Sequence, residues 1–188
     1  MSPSVQEREV IVRRASVACL ERLARCDFSF EVVAEVAEPY ETGRTVSVDP
    51  PYLKNYGYDP DELTEYLVRT DAEVFIAEVC GTPVGYVAVS RGWNGFAVIE
   101  DIAVDASQRG NGLAGGLMNA AVEWARLANL AGVRLETQSN NVAACGFYRR
   151  YGFVLGGYDR HLYSGIHSSS REVALFWYLI FPTSHACT

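Results

Sequence analysis

Two kinds of hydrophobic pattern alternate along the 188 residues of the chain: short β-branched runs, and longer stretches with apolar residues at helical spacing. The β-branched runs predict strands at residues 9–14, 28–36, 73–79, 83–90, 97–104, 133–137, 153–156 and 173–180. The helical stretches predict helices at residues 16–26, 60–67, 113–129 and 141–151. This order predicts a single α/β domain with a mixed central sheet and flanking helices.

The pattern loses its period between residues 39 and 60. Four prolines, two glycines and four tyrosines stand in this segment without regular spacing. We therefore predict a long loop with few regular elements, and loops of this length often carry function.

The stretch from Ala97 to Leu117 carries the strongest chemical signal. It begins as an apolar strand interrupted by Glu100 and Asp101, and continues through a glycine-rich turn into a helix. The free N–H groups and the dipole at a helix start attract anions, and glycines let a phosphate approach the main chain. The pattern therefore predicts an anion-binding turn.

Two other interpretations of this turn stay open at this point. Gly110-x-Gly112-x-x-Gly115 matches the dinucleotide-binding fingerprint, although five residues separate it from the strand and it falls in the middle of the chain. The glycines could also form a turn that binds no ligand. A P-loop is disfavoured because no lysine follows the glycines.

Composition narrows the class of partner. The formal charge of −7 and the pI of about 5.0 disfavour nucleic acid and favour a cationic partner. Five cysteines without C-x-x-C spacing argue against a disulfide framework or a zinc site and suit a reducing cytoplasm. Because the sequence has neither the apolar run of a signal peptide nor a stretch of ~20 apolar residues, we expect a soluble protein with no membrane contact.

Two motifs together resemble the acetyl-CoA core of the GNAT superfamily of N-acetyltransferases. The first is Arg109-x-x-Gly112-x-Ala114, which stands between a strand and a helix. The second is N-V-A-A-C-G-F-Y from Asn141, followed by Y-G-F from Tyr151, which is similar to the family pattern N-x-x-A-x-x-F/L-Y-x-x-x-G-F. The resemblance implies one GNAT domain over residues 1–188, with the acetyl-CoA core at about residues 73–160 and the acceptor side shaped by the N-terminal part and the 39–60 loop.

Residues 73 to 181 look like the streptothricin acetyltransferases within that superfamily, through I-E-D-I-A-V-D, L-E-T-Q-x-N-N-V-A-A-C and the terminal A-L-F-W-Y. This resemblance implies a cytoplasmic resistance enzyme that uses acetyl-CoA, without a metal, to acetylate the β-lysine amine of a polycationic antibiotic. It also implies a homodimer, an assembly that family members commonly form. The alternatives are an acetyltransferase for another small polyamine or an aminoglycoside, a non-catalytic acyl-CoA-binding regulator and a nicotinamide-dependent oxidoreductase.

The resemblance also implies cofactor contacts. Ile102, Ala103 and Val104 are expected to bind the pantetheine arm as if it were an added strand. Asn141, which lies on the same helix face as Tyr148, is also expected to contact the cofactor. The pyrophosphate is expected to contact Arg109, Gly110, Asn111, Gly112, Leu113 and Ala114.

Acetyl transfer to an alkyl amine, whose pKa is ~10, requires a base for the amine and an acid for the leaving thiol. Glu100 is the candidate base, since its apolar neighbours are expected to desolvate it partly and raise its pKa, and Asp101 is the alternative base. Strand alternation puts Asp101 on the opposite face unless a bulge intervenes, so we expect only one of the two carboxylates to face the cleft. Tyr148 is the candidate acid, and the other interpretation is a core aromatic residue.

The remaining candidates concern the acceptor. Asp101, Asp159 and Trp93 are predicted to form part of its wall, through charge for the acids and cation–π contact for the tryptophan. Each could equally be a surface or packing residue. Cys145 is predicted to pack in the core rather than act as a nucleophile, because direct attack by the amine needs no enzyme nucleophile.

Overall fold

The computed structural model describes residues 9–165 and 172–182. Short 3-10 turns lie at Tyr40–Thr42, Ala106–Gln108 and Leu162–Gly165. The helices are α1 Val17–Leu23, α2 Pro60–Val68, α3 Leu113–Leu127 and α4 Val142–Tyr151. The strands are β1 Val10–Arg14, β2 Phe30–Val36, β3 Thr45–Lys54, β4 Ala72–Val79, β5 Thr82–Arg91, β6 Ala97–Val104, β7 Gly132–Gln138, β8 Val154–Asp159 and β9 Ala174–Ile180.

Seven strands form one mixed sheet in the order β1-β4-β5-β6-β7-β9-β8, and β2 and β3 form a separate two-stranded sheet. The β6–β7 pair is parallel, whereas β1–β4, β4–β5, β7–β9 and β8–β9 are antiparallel. A parallel pair needs a crossover connection, and α3 lies in the chain between β6 and β7. The predicted mixed α/β sheet with helices is confirmed.

The chain forms two compact units. The first holds the described residues up to Phe28 together with Gly57–Ser90 and Glu100–Glu123. The second holds Ser29–Tyr56, Arg91–Ile99 and the described residues from Trp124 onward. Among the helices of the described residues, none is long and apolar enough to cross a membrane.

The core of the first unit consists of α1 and α2 packed with apolar residues of β4 and β5. Leu20 and Leu23 of α1 and Leu63 of α2 are buried in one cluster with Ile76 and Tyr86. The predicted start of α2 is confirmed: Pro60 is its first residue, and the Asp59 carboxylate accepts from the N–H groups of the first turn. Local sequence therefore fixes where α2 begins, and burial of Leu63 fixes the side that faces the strands.

The second unit packs α4 with the strands β7, β8 and β9. Trp177 and Leu175 of β9 are fully buried, and Tyr148 of α4 lies 6.2 Å from Trp177 between ring centroids. The β2–β3 hairpin joins this unit through Val36, whose N–H donates to the Ser139 carbonyl over 2.8 Å.

The prediction of an irregular loop over residues 39–60 is wrong, because β3 occupies Thr45–Lys54. Its pairing with β2 runs from Thr45 to Ser47 and resumes at Tyr52, and both prolines of the strand fall in the interval between. Proline lacks the N–H that a strand ladder requires, so the strand tolerates these residues only where the ladder is interrupted. The prolines that concealed the period in the sequence thus mark an irregularity within a strand.

Candidate active site

The two carboxylates of β6 each accept a hydrogen bond from a hydroxyl group of β5. The Ser90 hydroxyl donates to Glu100, and the Tyr86 hydroxyl donates to Asp101. Tyr86 and Ser90 pair regularly with Ile76 and Ala72 of β4, so they lie on the same face of β5. Glu100 and Asp101 therefore reach toward one face.

The expectation that only one carboxylate faces this side is thus wrong. Burial alternates through Ala97 and Ile99, is interrupted by Glu100 and Asp101, which are both exposed, and resumes with Val104 in the opposite phase. An interruption of this kind re-aims side chains in a strand. Glu100 is an exposed residue of this strand.

Asp101 is accessible to solvent, and yet burial by the surrounding protein is the largest influence on its carboxyl group and raises its pKa. Hydrogen bonds from the Tyr86 hydroxyl and the Ile102 N–H lower the pKa, while the Glu62 carboxylate raises it. Water reaches the residue, but nearby protein replaces much of the hydration of the carboxyl group. The upward direction of the pKa therefore holds although the residue as a whole is exposed.

Aromatic side chains pack against the Tyr86 ring, whose hydroxyl donates to the Asp101 carboxylate. Tyr58 lies 5.4 Å from Tyr86 and Phe28 lies 5.5 Å from it, between ring centroids. Burial raises the pKa of Tyr86 and of Tyr58, so both phenols remain neutral donors at physiological pH. Sequence reasoning could not single out Tyr86, because a tyrosine in an apolar strand has the same pattern whether it packs or donates.

The turn after β6 has the conformation that its glycines predict. Gly110 and Gly112 have φ values of +81° and +79°, in the left-handed region that favours glycine. An added Cβ would meet no atom within 4 Å at either position, so backbone conformation and not crowding requires glycine. The space beside the turn is open.

The turn leads directly into the 15-residue helix α3. The Gly116 N–H donates to the Gly112 carbonyl over 3.1 Å, as in the first turn of an α-helix. The N–H groups before Gly116, including those of Leu113 and Ala114, precede the intrahelical ladder and point out of the helix start. Such groups can hold a phosphate or pyrophosphate.

Arg109 and Asn111 brace the turn. The Arg109 Nε donates to the Val104 carbonyl over 3.0 Å, and the Asn111 amide donates to the Gln108 carbonyl over 3.2 Å. Gly85 of β5 adjoins the same part of β6, since a Cβ there would lie 2.8 Å from the Ala103 carbonyl oxygen. Ile102 and Ala103 are half-buried and Val104 is buried.

In the second unit, Tyr148 has the burial of a core residue. Its side chain is 5% exposed, and its ring lies 5.8 Å from that of Phe153. Asn141 is the N-cap of α4, with its side-chain oxygen accepting from the Ala144 N–H over 3.1 Å. Burial raises the pKa of Cys145 to about 12, so this thiol is protonated and the prediction that it packs is confirmed.

Trp93 and Asp159, which the sequence predicts in the acceptor wall, differ from each other in exposure and contacts. Trp93 is 93% exposed in the turn before β6. The Asp159 carboxylate accepts from the backbone N–H groups of His161 and Leu162 over 2.7 and 3.1 Å, which accounts for Asp159 as a turn residue. Within residues 9–165 and 172–182, no cluster of histidine, cysteine, aspartate or glutamate side chains could hold a metal ion.

Named relatives resemble the chain over most of its length. It is 37% identical over 131 residues to streptothricin acetyltransferase A of Bacillus subtilis (strain 168), covering 70% of this chain and 75% of that protein. It is 39% identical over 128 residues to the streptothricin acetyltransferase of Escherichia coli, covering 68% of this chain and 70% of that protein.

Two solved structures with related names are also similar to this chain. A Bacillus anthracis (strain Ames) protein, provisionally described as a streptothricin acetyltransferase and solved with acetyl coenzyme A, superposes with a TM-score of 0.80 at 34% identity, over 92% of this chain and 100% of that one. A nourseothricin acetyltransferase superposes with a TM-score of 0.76 at 33% identity, over 92% of this chain and 99% of the other.

The family model of the GNAT acetyltransferases matches residues 35–153. This segment is more than half of the chain and includes both the glycine turn before α3 and the Asn141–Tyr148 motif. The chain therefore belongs to the GNAT family of acetyltransferases.

Proposed function

We propose that this protein is an acetyl-CoA-dependent N-acetyltransferase that inactivates streptothricin by acetylating the amine of its β-lysine moiety. The observation that carries the proposal is the 37–39% identity to two streptothricin acetyltransferases over more than two thirds of this chain. The glycine turn and the free N–H groups at the start of α3 support acetyl-CoA as the co-substrate, because they suit its pyrophosphate.

The proposed chemistry is direct transfer. The acceptor nitrogen attacks the thioester carbonyl, the new C–N bond forms, and the C–S bond breaks with the electron pair leaving on sulfur. Glu100 takes a proton from the acceptor ammonium, directly or through water, and Tyr148 protonates the departing thiolate. The second proton, which the nitrogen loses after the attack, restores the Tyr148 phenol. Exposure of the Glu100 carboxylate supports its role, since it has to meet an amine that arrives from solvent.

The other assignments are parts of the same proposal. Arg109, the turn 110–112, Leu113 and Ala114 hold the pyrophosphate, while Asn141 and residues 102–104 position the pantetheine arm, with a main-chain N–H of the strand facing the thioester carbonyl. Asp101 attracts the acceptor ammonium, and Trp93 and Asp159 line its path.

The proposal extends to domain organisation, compartment and assembly. We infer one N-acetyltransferase domain over residues 1–188, with residues 39–60 on the acceptor side. The four cysteines of the described residues are free thiols, which suits the reducing cytoplasm. The homodimer implied by the resemblance predicts twice the chain mass of 20.7 kDa in light scattering.

A single assay tests the function. The purified protein is incubated with acetyl-CoA and streptothricin, spermidine or kanamycin, and the release of free thiol is followed while mass spectrometry locates the acetyl group. We expect thiol release with streptothricin and acetylation of its β-lysine amine. If none of the three acceptors causes thiol release, the enzyme proposal is refuted. A large preference for spermidine or kanamycin would identify that compound, instead of streptothricin, as the acceptor.

A further inference from the structure

A lysine of the second unit is held as if it were a bound amine. Lys54, the last residue of β3, donates through its ammonium to the Glu172 carboxylate and lies over the ring of Tyr56, with Nζ 4.8 Å from the ring centroid. The side chains of Lys54 and Glu172 are only 25% and 17% exposed. A carboxylate and an aromatic face are the groups by which proteins recognise free alkylammonium ions.

Asn140 adds an unused acceptor to this group. It is 3% exposed, and its Nδ2 donates to the Tyr52 hydroxyl and to Glu172, both over 3.0 Å. Because an ionised carboxylate only accepts hydrogen bonds, this pairing fixes which end of the amide faces Glu172. The buried Asn140 Oδ1 has no hydrogen-bond partner among the residues that the structure describes. A buried acceptor of this kind calls for an N–H or O–H donor.

The surroundings favour a cationic donor. Burial, together with the nearby Glu172 carboxylate, raises the pKa of Tyr56, so its phenol stays neutral beneath the ammonium. The Tyr163 phenol, which also raises the pKa of Tyr56, donates its hydroxyl proton to the Glu136 carboxylate. The ring face, the carboxylate and the unused amide oxygen are thus all suited to a positive N–H group.

We propose that Glu172, Tyr56 and Asn140 form a binding subsite for an alkylammonium group. Lys54 occupies this subsite while no acceptor is bound, and a second ammonium group of the polycationic acceptor takes it by displacing Lys54. The identity of the acceptor rests on the proposed function, whereas the ammonium subsite itself does not.

The displaced lysine has a place to go. Lys54 ends its strand, and residues 55–59 that follow have no regular secondary structure. A four-carbon stem lets the ammonium swing into water without moving the strand. An internal competitor lowers the apparent affinity for the acceptor by the fraction of time for which it fills the site.

Removal of the competitor should therefore improve acceptor binding. Lys54→Met keeps the stem and removes the charge, so we expect the KM for streptothricin to fall several-fold with kcat unchanged. Glu172→Gln should raise that KM, and the double variant should show no gain. Arg44→Met is the control, because it removes an exposed cation from the other end of the same hairpin.

The opposite result would overturn the subsite. If Lys54 and Glu172 serve only to join two segments of the chain, Lys54→Met will not lower the KM for streptothricin. Both Lys54→Met and Glu172→Gln will then leave that KM unchanged or raise it, and both will lower the Tm. An equal fall of the KM in Arg44→Met would assign the effect to net charge and also contradict the proposal.

A binding test separates this inference from the proposed function. In Lys54→Ala, n-butylammonium should restore the missing side chain and raise the Tm more than 1-butanol does, and this difference should vanish in Lys54→Ala/Glu172→Gln. An equal response to both compounds would refute the ammonium subsite. If the wild-type protein acetylates no streptothricin while n-butylammonium binds as expected, the proposed function fails and the subsite stands.

Discussion

Glu100 and Asp101 are adjacent carboxylates that differ in the hydroxyl group from which each accepts. Asp101 accepts from Tyr86, itself buried among the rings of Tyr58 and Phe28, whereas Glu100 accepts from Ser90 at the end of β5. Burial raises the pKa of Asp101, and Glu100 stays exposed. Exposure leaves Glu100 open to an arriving amine, as its proposed role requires, whereas the raised pKa makes Asp101 the alternative base.

Replacement of Glu100 by Gln should remove the base. General-base catalysis typically contributes 10²–10⁴-fold, so we expect kcat to fall by roughly 10²-fold or more at neutral pH. The rate should recover partly as the pH rises toward the amine pKa of ~10, because the free amine then needs no base. Thiol release against pH measures this, with Glu65→Gln on α2 as the control. An unchanged rate would exclude Glu100.

Replacement of Tyr148 by Phe should remove the acid and keep the packing. The ring contacts with Phe153 and Trp177 remain, so we expect little change in Tm and a fall in kcat of roughly 10²-fold. Tyr151→Phe on the same helix is the matched control and should leave kcat unchanged. Equal kcat values for Tyr148→Phe and Tyr151→Phe would show that Tyr148 only packs and does not act as the acid.

The raised pKa of Asp101 also affects stability. A carboxyl group whose pKa is higher in the folded protein contributes stability below its unfolded pKa of about 3.9 and loses that contribution as the pH rises. Asp101→Asn can still accept from Tyr86, so its Tm should exceed that of the wild type at pH 7, and the gap should narrow toward pH 4. Thermal unfolding at several pH values tests this, and a gap that widens toward acid would contradict it.

At the scale of elements, the glycine turn that the sequence predicts lies directly before α3, next to the first N–H groups of that helix. A tight turn with two positive φ values precedes the helix, and the first N–H groups of α3 point out beside it. We therefore propose that the whole turn, and not any single side chain, binds the pyrophosphate.

Gly112→Ala should disturb this feature through its backbone. An alanine at φ +79° costs roughly 1–2 kcal/mol, so we expect the KM for acetyl-CoA to rise by about tenfold. Gly81→Ala is the matched control, since Gly81 has φ +74° and equally open surroundings in the β4–β5 turn. Steady-state kinetics and Tm are measured for both variants. The control should lose stability without a change in KM, and equal KM values would count against the turn as the cofactor site.

At the scale of the whole molecule, the formal charge of −7 acts on a polycationic acceptor before any contact forms. Raising the ionic strength from about 0.01 to 0.1 M shortens the Debye length from about 30 to 10 Å. The KM for streptothricin should therefore rise several-fold, while the KM for anionic acetyl-CoA should not rise with it. Parallel increases for both substrates would indicate a general salt effect on the enzyme.

The sequence by itself determined the features that depend on neighbouring residues. The start of α2 follows from Asp59 and Pro60, and the positive φ values of Gly110 and Gly112 follow from a turn that only glycine enters without strain. The resemblance of the Arg109 and Asn141 motifs to the GNAT pattern was enough to identify the family from the sequence.

Tertiary structure decided the features that depend on distant partners. It made a strand of Thr45–Lys54, because pairing with β2 stabilises a segment whose prolines hide any period. It turned Glu100 and Asp101 toward the same face of β5, against simple alternation. It also joined Lys54 to Glu172 across 118 residues of sequence. Local patterns encode conformation, whereas the partner of a carboxylate is known only when the chain has folded.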